Sequence, residues 1–240
     1  MKPKFRLAKI ALLPSLLLAA GLSSSVLAQN AGTIDKLSGN ATITSANNQT
    51  RKAEPNAKIQ SGDTITTEGK SEALVKMADN SVVALRQNTQ FQFTNFKFEE
   101  KRTDSSISTL IRGTARLVSG LIGKSNPENM KVAAKTATIG IRGTDFEVAV
   151  VEQDTADTRA GIYNFVHDGA TNVLLAQGPT SDVRKDQTAF SPANPRPGES
   201  LLQIMDNRPS FLQSGGGFDA LMQAVTNAPQ NIIMQMPTFR

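Results

Sequence analysis

The stretch Lys135-Thr136-Ala137-Thr138-Ile139-Gly140-Ile141-Arg142-Gly143-Thr144-Asp145-Phe146-Glu147-Val148 decides how the rest of the chain reads. Phe146, Val148 and Val150 alternate with Glu147 and Ala149, the period-two pattern of a strand with one face in a core. Gly140 and Gly143 stand three apart inside this β-rich run. Glycine there marks a bulge or sharp corner, because it permits positive φ and close backbone approach. Arg142 lies at the corner, placed to bond carbonyls or a carboxylate across the bend. The tetrapeptide Ile141-Arg142-Gly143-Thr144 also occurs 30 residues earlier as Ile111-Arg112-Gly113-Thr114. Two copies do not make an array, so this is only a weak sign of duplication.

Outward from this stretch, short β-rich runs follow one another with little helix. Ala41–Thr44, Thr64–Thr67, Glu72–Met77 and Ser81–Arg86 read as strands, the last two joined by a turn at Ala78-Asp79-Asn80. In Gln90–Glu99, Phe91 and Phe93 share one face, and so do Phe96 and Phe98, but the step between the pairs is odd. Either Thr94-Asn95 is a bulge that restores one face, or the strand passes between two layers. Ile107–Leu121 reads as a short helix or as a strand pair broken at Gly113. Met130–Ala134, Thr136–Ile141 and Phe146–Val151 follow. Ile162–Val166 and Thr171–Leu175 flank His167-Asp168-Gly169-Ala170, where Asp168-Gly169 predicts a hairpin turn and His167 an exposed turn residue. Val183–Phe190 supplies one more strand. The expected class is all-β, a two-layer β-sandwich or short β-roll of many short strands.

The two ends read differently. Lys2, Lys4, Arg6 and Lys9 precede a 13-residue apolar run, Ile10–Leu22, then three serines and the small-residue pattern Val26-Leu27-Ala28. This is the layout of a secretory signal peptide over residues 1–28, with cleavage between Ala28 and Gln29. The run is shorter than the roughly 20 residues a spanning helix needs. The expectation is therefore export to the periplasm or beyond, with no integral span after processing. Cleavage removes four of the 26 basic residues and none of the 21 acidic ones, leaving a net charge of +1. The high pI therefore gives no reason to expect a nucleic-acid partner. Residues 29–190 hold three of the 11 prolines and read as the folded domain. Residues 191–240 hold six, plus Gly215-Gly216-Gly217, and read as a largely irregular tail. Within it Phe218, Leu221, Met222 and Val225 fall on one face of a short helix around 218–226, with Asp219 near its start. So short a helix must dock, on its own domain or on a partner.

Thr138–Val148 resembles the core motif of the FecR domain family. The motif residues here are Ile139, Gly140, Ile141, Arg142, Gly143, Thr144, Asp145 and Phe146. Ser61-Gly62-Asp63-Thr64-Ile65-Thr66-Thr67, the hairpin Ala73–Leu85 with Asn80 where the family usually has glycine, Asn88-Thr89-Gln90-Phe91, and Ile162–Val173 resemble its other segments. The resemblance spans about residues 33–190. It implies a periplasmic β domain of Gram-negative bacteria. The best-known members resemble sigma-factor regulators with a cytoplasmic part, one transmembrane helix and a periplasmic domain that contacts an outer-membrane receptor. This chain departs from that plan at its N-terminus and is more similar to stand-alone exported FecR proteins. The expected role is a non-catalytic module for binding, sensing or scaffolding in the envelope, with another envelope protein as partner and β-augmentation on an open sheet edge as one route.

Composition narrows the chemistry. With no Cys and one His, thiolate zinc sites, Fe–S clusters and multi-histidine metal sites are excluded, and no metal or cofactor is expected. With no Trp and one Tyr, a stacking platform for sugars or bases is not expected. The alternatives are a structural or adhesive surface protein, and a glycan hydrolase using two carboxylates. For the hydrolase the pairs are Glu99 with Glu100, whose neighbours-in-sequence position puts them on opposite sides of a strand, and Asp145 with Glu147, which share a face if the strand is regular. The loop bearing Glu152, Asp154 and Asp157 is acidic but lacks calcium-loop spacing and reads as a solvated loop. Asn40-Ala41-Thr42 and Asn48-Gln49-Thr50 are sequons by pattern, and mean little if the source is bacterial, as the resemblance implies.

Overall fold

The computed structural model describes residues 30–213 together with Phe218 and Met222. The expected signal peptide and its Ala28/Gln29 junction lie outside the described residues, as do Asp219, Leu221 and Val225 of the expected tail helix. The described residues include fifteen strands and a short α-helix, Phe218 and Met222 are also helical, and the fold is all-β. The strands are β1 (Asn30–Ser38), β2 (Ala41–Thr44), β3 (Thr50–Lys52), β4 (Lys58–Gln60), β5 (Thr64–Thr67), β6 (Glu72–Met77), β7 (Val82–Leu85), β8 (Gln90–Lys97), β9 (Ser105–Val118), β10 (Met130–Ala134), β11 (Ala137–Val151), β12 (Gly161–Leu175), β13 (Thr180–Arg184), β14 (Thr188–Pro192) and β15 (Gln203–Met205). The helix, α1, is Leu121–Ser125. No helix among the described residues is long and apolar enough to cross a membrane.

All fifteen strands form one hydrogen-bonded system that three long strands divide into two leaves. The first leaf runs β4-β1-β6-β7-β9-β11-β12-β14-β15, using residues 113–118 of β9, 145–151 of β11 and 161–166 of β12. The second runs β3-β2-β5-β8-β9-β10-β11-β12-β13, using the other halves of the same three strands. In the first leaf β9 and β11 bond directly, with Gly113 opposite Val150 and Val118 opposite Asp145. In the second, β10 lies between them, parallel to β9 and antiparallel to β11. Side chains of both leaves meet in one core. Ile34, Val75, Leu117 and Val148 come from the first, and Ile43, Ile65, Leu110 and Ile139 from the second. Burying each such side chain contributes roughly 1.5–3 kcal/mol.

Local patterns explain where the strands bend. In β8 the register shifts between Gln92 and Asn95. Phe91, Phe93 and Phe96 are all buried in the core and Phe98 packs against it. Thr94-Asn95 is thus the bulge, and an extra residue there returns the second phenylalanine pair to the core side. The segment from Ile107 is neither a helix nor a broken pair up to Val118. It is the single strand β9, bent at Gly113, and only Leu121–Ser125 turns helical. Helix α1 has no cap of its own; Asp79, fully buried in the β6–β7 turn, serves it instead. Its Oδ2 accepts from Ile122 N at 3.3 Å, its carbonyl from Leu121 N at 2.8 Å, and its Oδ1 from Ser81 N at 3.0 Å. Asn80 takes φ +63° in that turn, a conformation Asn tolerates better than most residues.

Two expectations are corrected. Asp168-Gly169 does not turn a hairpin: Gly161–Leu175 is one continuous strand, and the pair forms a kink inside it. The hairpin that includes it is β11–β12, closed by the loop 152–160, so the positive φ of Gly169 (+79°) serves a bend and not a reversal. Nor does the sheet stop at residue 190. β14 runs through it, β15 adds a further edge strand, and Leu202 and Leu212 are buried. The prolines Pro195 and Pro197 lie in the connection between these strands, where no ladder hydrogen bond is required of them.

Candidate functional site

The FecR-like motif straddles the point where β11 passes from the second leaf to the first. Ile139, Ile141 and Phe146 are buried in the core, and Thr144 is buried at the crossing. Pairing with β12 is interrupted between Arg142 and Asp145, where Gly143 has φ +61°. Thr144 closes the gap. Its Oγ1 accepts from Arg142 N at 3.2 Å and donates to Ala170 O at 2.7 Å; its N donates to Ser119 Oγ at 2.8 Å. A Cβ on Gly169 would lie 2.6 Å from Gly143 O, so both strands bend in contact. Gly140 sits in regular pairing opposite Asn172, with nothing closer than 3.7 Å to an added Cβ. The corner is therefore at Gly143-Thr144, not at Gly140.

The repeated tetrapeptide is the same device used twice. Gly113, at φ +84°, lets β9 leave the first leaf, and Thr89 does there what Thr144 does in β11. Its Oγ1 accepts from Thr114 N at 3.0 Å and donates to Thr114 O at 3.1 Å. Because β9 and β11 are antiparallel, the two copies sit at opposite ends of the first leaf.

Arg142 is exposed, and its guanidinium makes no hydrogen bond or ion pair among the described residues. The arginine that clamps a carboxylate at this bend is Arg116, from β9, through Nε at 2.8 Å and Nη2 at 2.7 Å to the two oxygens of Asp145. Phe146 and Val148 point into the core, so Asp145 and Glu147 share the outer face of the first leaf.

On that face Glu147 has no exposed side-chain surface and lies at the centre of a charged cluster. Arg86 Nη2 donates to Oε1 at 2.8 Å and Arg208 Nη2 to Oε2 at 2.8 Å. His167 Nε2 lies 3.4 Å from Oε2, and its ring stands edge-on to Phe165 with centroids 4.8 Å apart. His167 is thus 16% exposed and packed, contrary to the exposed turn expected. Burial alone would raise the Glu147 pKa. The nearby imidazole and the charges of Arg86 and Arg208 outweigh it and bring the value from 4.5 down to about 2. Glu147 is therefore ionised across the physiological range and has no proton to donate, and the oxygens of Asp145 are taken by Arg116. Neither suits the general-acid role a glycosidase requires.

The other acidic residues are dispersed. Glu99 lies 3.5 Å from Lys97 Nζ and 3.1 Å from Lys101 Nζ, and its pKa is lowered chiefly by the Lys101 hydrogen bond. Glu100 occupies the following turn at φ +59°. Glu152 pairs with Lys135 at 3.3 Å, Asp154 Oδ1 accepts from Ala160 N at 2.6 Å, and Asp157 is exposed. Among the described residues no three His, Asp or Glu side chains converge to hold a metal ion.

Sequence reasoning did not find Arg86, Arg116 or Arg208, which lie 29 to 61 residues from their carboxylates. The one available signal was Glu147 itself, a carboxylate inside the apolar run Phe146–Val151.

No curated protein sequence is significantly similar to the chain. Two crystal structures of a candidate anti-sigma factor from Parabacteroides distasonis ATCC 8503 align with it at a TM-score of 0.49, with 14% and 15% identity. The alignments cover 62% of this chain and 62% of that one, less than two thirds of its length. A structure described as a cell surface anchoring domain aligns at a TM-score of 0.25 and 27% identity over 26% of this chain and 82% of that one. Residues 63–164, from the Asp63 turn through both bent tetrapeptides to Asn164 in β12, match the sequence model of the family described as FecR protein. Over these residues the chain is similar to the FecR family.

Proposed function

We propose that the protein is an exported, non-catalytic contact module of the bacterial envelope, in the periplasm or beyond it, that binds another envelope protein. The observation that carries the reading is the state of the two carboxylates beside the family motif. Asp145 and Glu147 are both consumed by guanidinium groups, and Glu147 is held at a pKa of about 2. Charges arranged in this way hold strands together and do not turn over substrate. A route for contact is the outer edge of the second leaf. Among the described residues β13 is paired on one side only, with β12, and Thr180, Asp182 and Arg184 are exposed along it. The free N–H and C=O groups of such an edge accept an added strand from a partner.

The test is crosslinking of the mature chain in intact cells, followed by recovery from the envelope fraction. We expect processing after Ala28 and a protein crosslinked through β13, and its loss on Val183→Pro, which breaks the edge ladder. Recovery of the unprocessed chain from the cytosol would end the export reading. Turnover of labelled peptidoglycan that is abolished by Asp145→Asn would replace the contact reading with an enzymatic one.

A further inference from the structure

The outer face of the first leaf is apolar. Leu74, Val82 and Ala84 form one patch on it, and Tyr163, Phe165 and Phe190 another, with Glu147 and its partners between. A patch of this kind is rarely left open on a soluble domain. Here the chain's own C-terminal segment covers it. Met205, Phe211 and Leu212 pack on the second patch, and Phe218 and Met222, both helical, pack on the first.

The segment is seated without being part of the main core. Of its described apolar residues only Leu202, at its root, belongs to the cluster between the leaves. Among the described residues Met205, Phe211, Leu212, Phe218 and Met222 lie in the two outer clusters, and Leu201 and Ile204 are exposed, so the segment can leave without opening that core. Polar contacts add to this apolar packing. β15 pairs with β14 at three positions. Thr188 Oγ1 donates to Asn207 O at 2.6 Å, Arg208 reaches Glu147, and Arg86 Nη2 donates to Leu212 O at 3.0 Å. The Arg86 guanidinium also lies 4.0 Å from the Phe218 ring centre. The root is fastened separately: Glu199 takes both Arg159 and Gln203, so the segment hinges just beyond it.

We propose that this segment is a displaceable strap over a docking face, and that the partner which replaces it is a peptide segment of like chemistry: an arginine flanked by bulky apolar side chains. The carboxylate argues for the cation. With the strap lifted, Glu147 keeps Arg86 and the His167 imidazole but loses Arg208, and a neutral apolar segment would bury it again with one partner fewer. The aromatic and aliphatic patches on either side set the flanking chemistry, as Phe211, Leu212 and Phe218 do in the strap itself. The proposal rests on the reading of the protein as a contact module, and concerns a surface separate from the β13 edge.

The experiment uses the full mature chain and a fluorescent synthetic peptide of residues 201–222 as the probe. Arg208→Ala in the chain should loosen the strap and raise peptide affinity at least tenfold over wild type, because the open fraction limits apparent affinity. A peptide carrying Arg208→Glu should bind neither chain. In wild type, amides of β15 should exchange at least a hundredfold faster than those of β12. Equal binding to both chains, binding to neither, or retained binding by the Arg208→Glu peptide would overturn the proposal. So would β15 amides as protected as those of β12, a measurement that needs no variant to fold. Because the probe is the chain's own sequence, these outcomes do not depend on whether an envelope partner is ever captured.

Discussion

At the residue scale, three glycines of the bent strands have unequal roles. Gly113 has positive φ, and an added Cβ would lie 2.6 Å from Thr89 Cα; Gly143 has positive φ but open space around it; Gly140 has neither constraint. Alanine scanning should rank them accordingly in denaturant midpoints. Gly113→Ala should cost more than about 3 kcal/mol and Gly143→Ala about 1–2, while Gly140→Ala should be neutral or stabilising by up to about 1. Equal effects would place the corner elsewhere. The glycine pair was legible in sequence as a corner; which member makes it was not, because φ is set by the register of two strands. Glu147 gives a pH prediction. Its folded pKa of about 2 lies below the ordinary 4.5, so its contribution is present above 4.5 and is lost as pH falls toward 2. The size is about 3 kcal/mol. Glu147→Gln should be less stable than wild type by about that much at neutral pH. The gap should close steadily as pH drops below 4.5, as followed by urea unfolding at each pH.

At the scale of elements, β7 and α1 show how a strand pattern and a turn carry more than their own segment. Val82-Val83-Ala84-Leu85 is buried at every position, a continuous apolar run of the sort that marks a strand covered on both faces. It has Val83 in the core and Val82 and Ala84 beneath Phe218 and Met222. The run could be read as a strand from sequence; what covers its second face could not. Asp79 was legible as a turn residue, yet it also holds a helix 43 positions further on. Asp79→Ala should cost about 2–3 kcal/mol by leaving buried N–H groups unpaired. Hydrogen exchange gives a sharper check. The Ser81 and Ile122 amides, bonded to the carboxylate, should lose protection, while the Leu121 amide, bonded to the Asp79 carbonyl, should keep it.

At the scale of the whole molecule, β9, β11 and β12 belong to both leaves, and the leaves share the core between them, so they are joined by backbone and by packing. The domain should unfold as one unit: the calorimetric and van't Hoff enthalpies should agree, and amides of β5 and β6, in opposite leaves, should share one free energy of exchange. Two separate transitions would show that the bends act as hinges between independent halves. The sequence by itself determined the strand-rich class, most strand positions, the β8 bulge as one of two options, and the motif that resembles that of the FecR family. These are local properties: alternation, turn residues and glycine spacing act over a few neighbours. Only the tertiary structure decided that Asp168-Gly169 bends a strand and does not reverse it, that Arg116 and not Arg142 clamps Asp145, that His167 is packed, and that Met205, Phe211, Leu212, Phe218 and Met222 pack on the first leaf. Each of these depends on a partner tens of residues away, and that pairing is set by how two sheets close over a common core, which no run of neighbouring residues encodes.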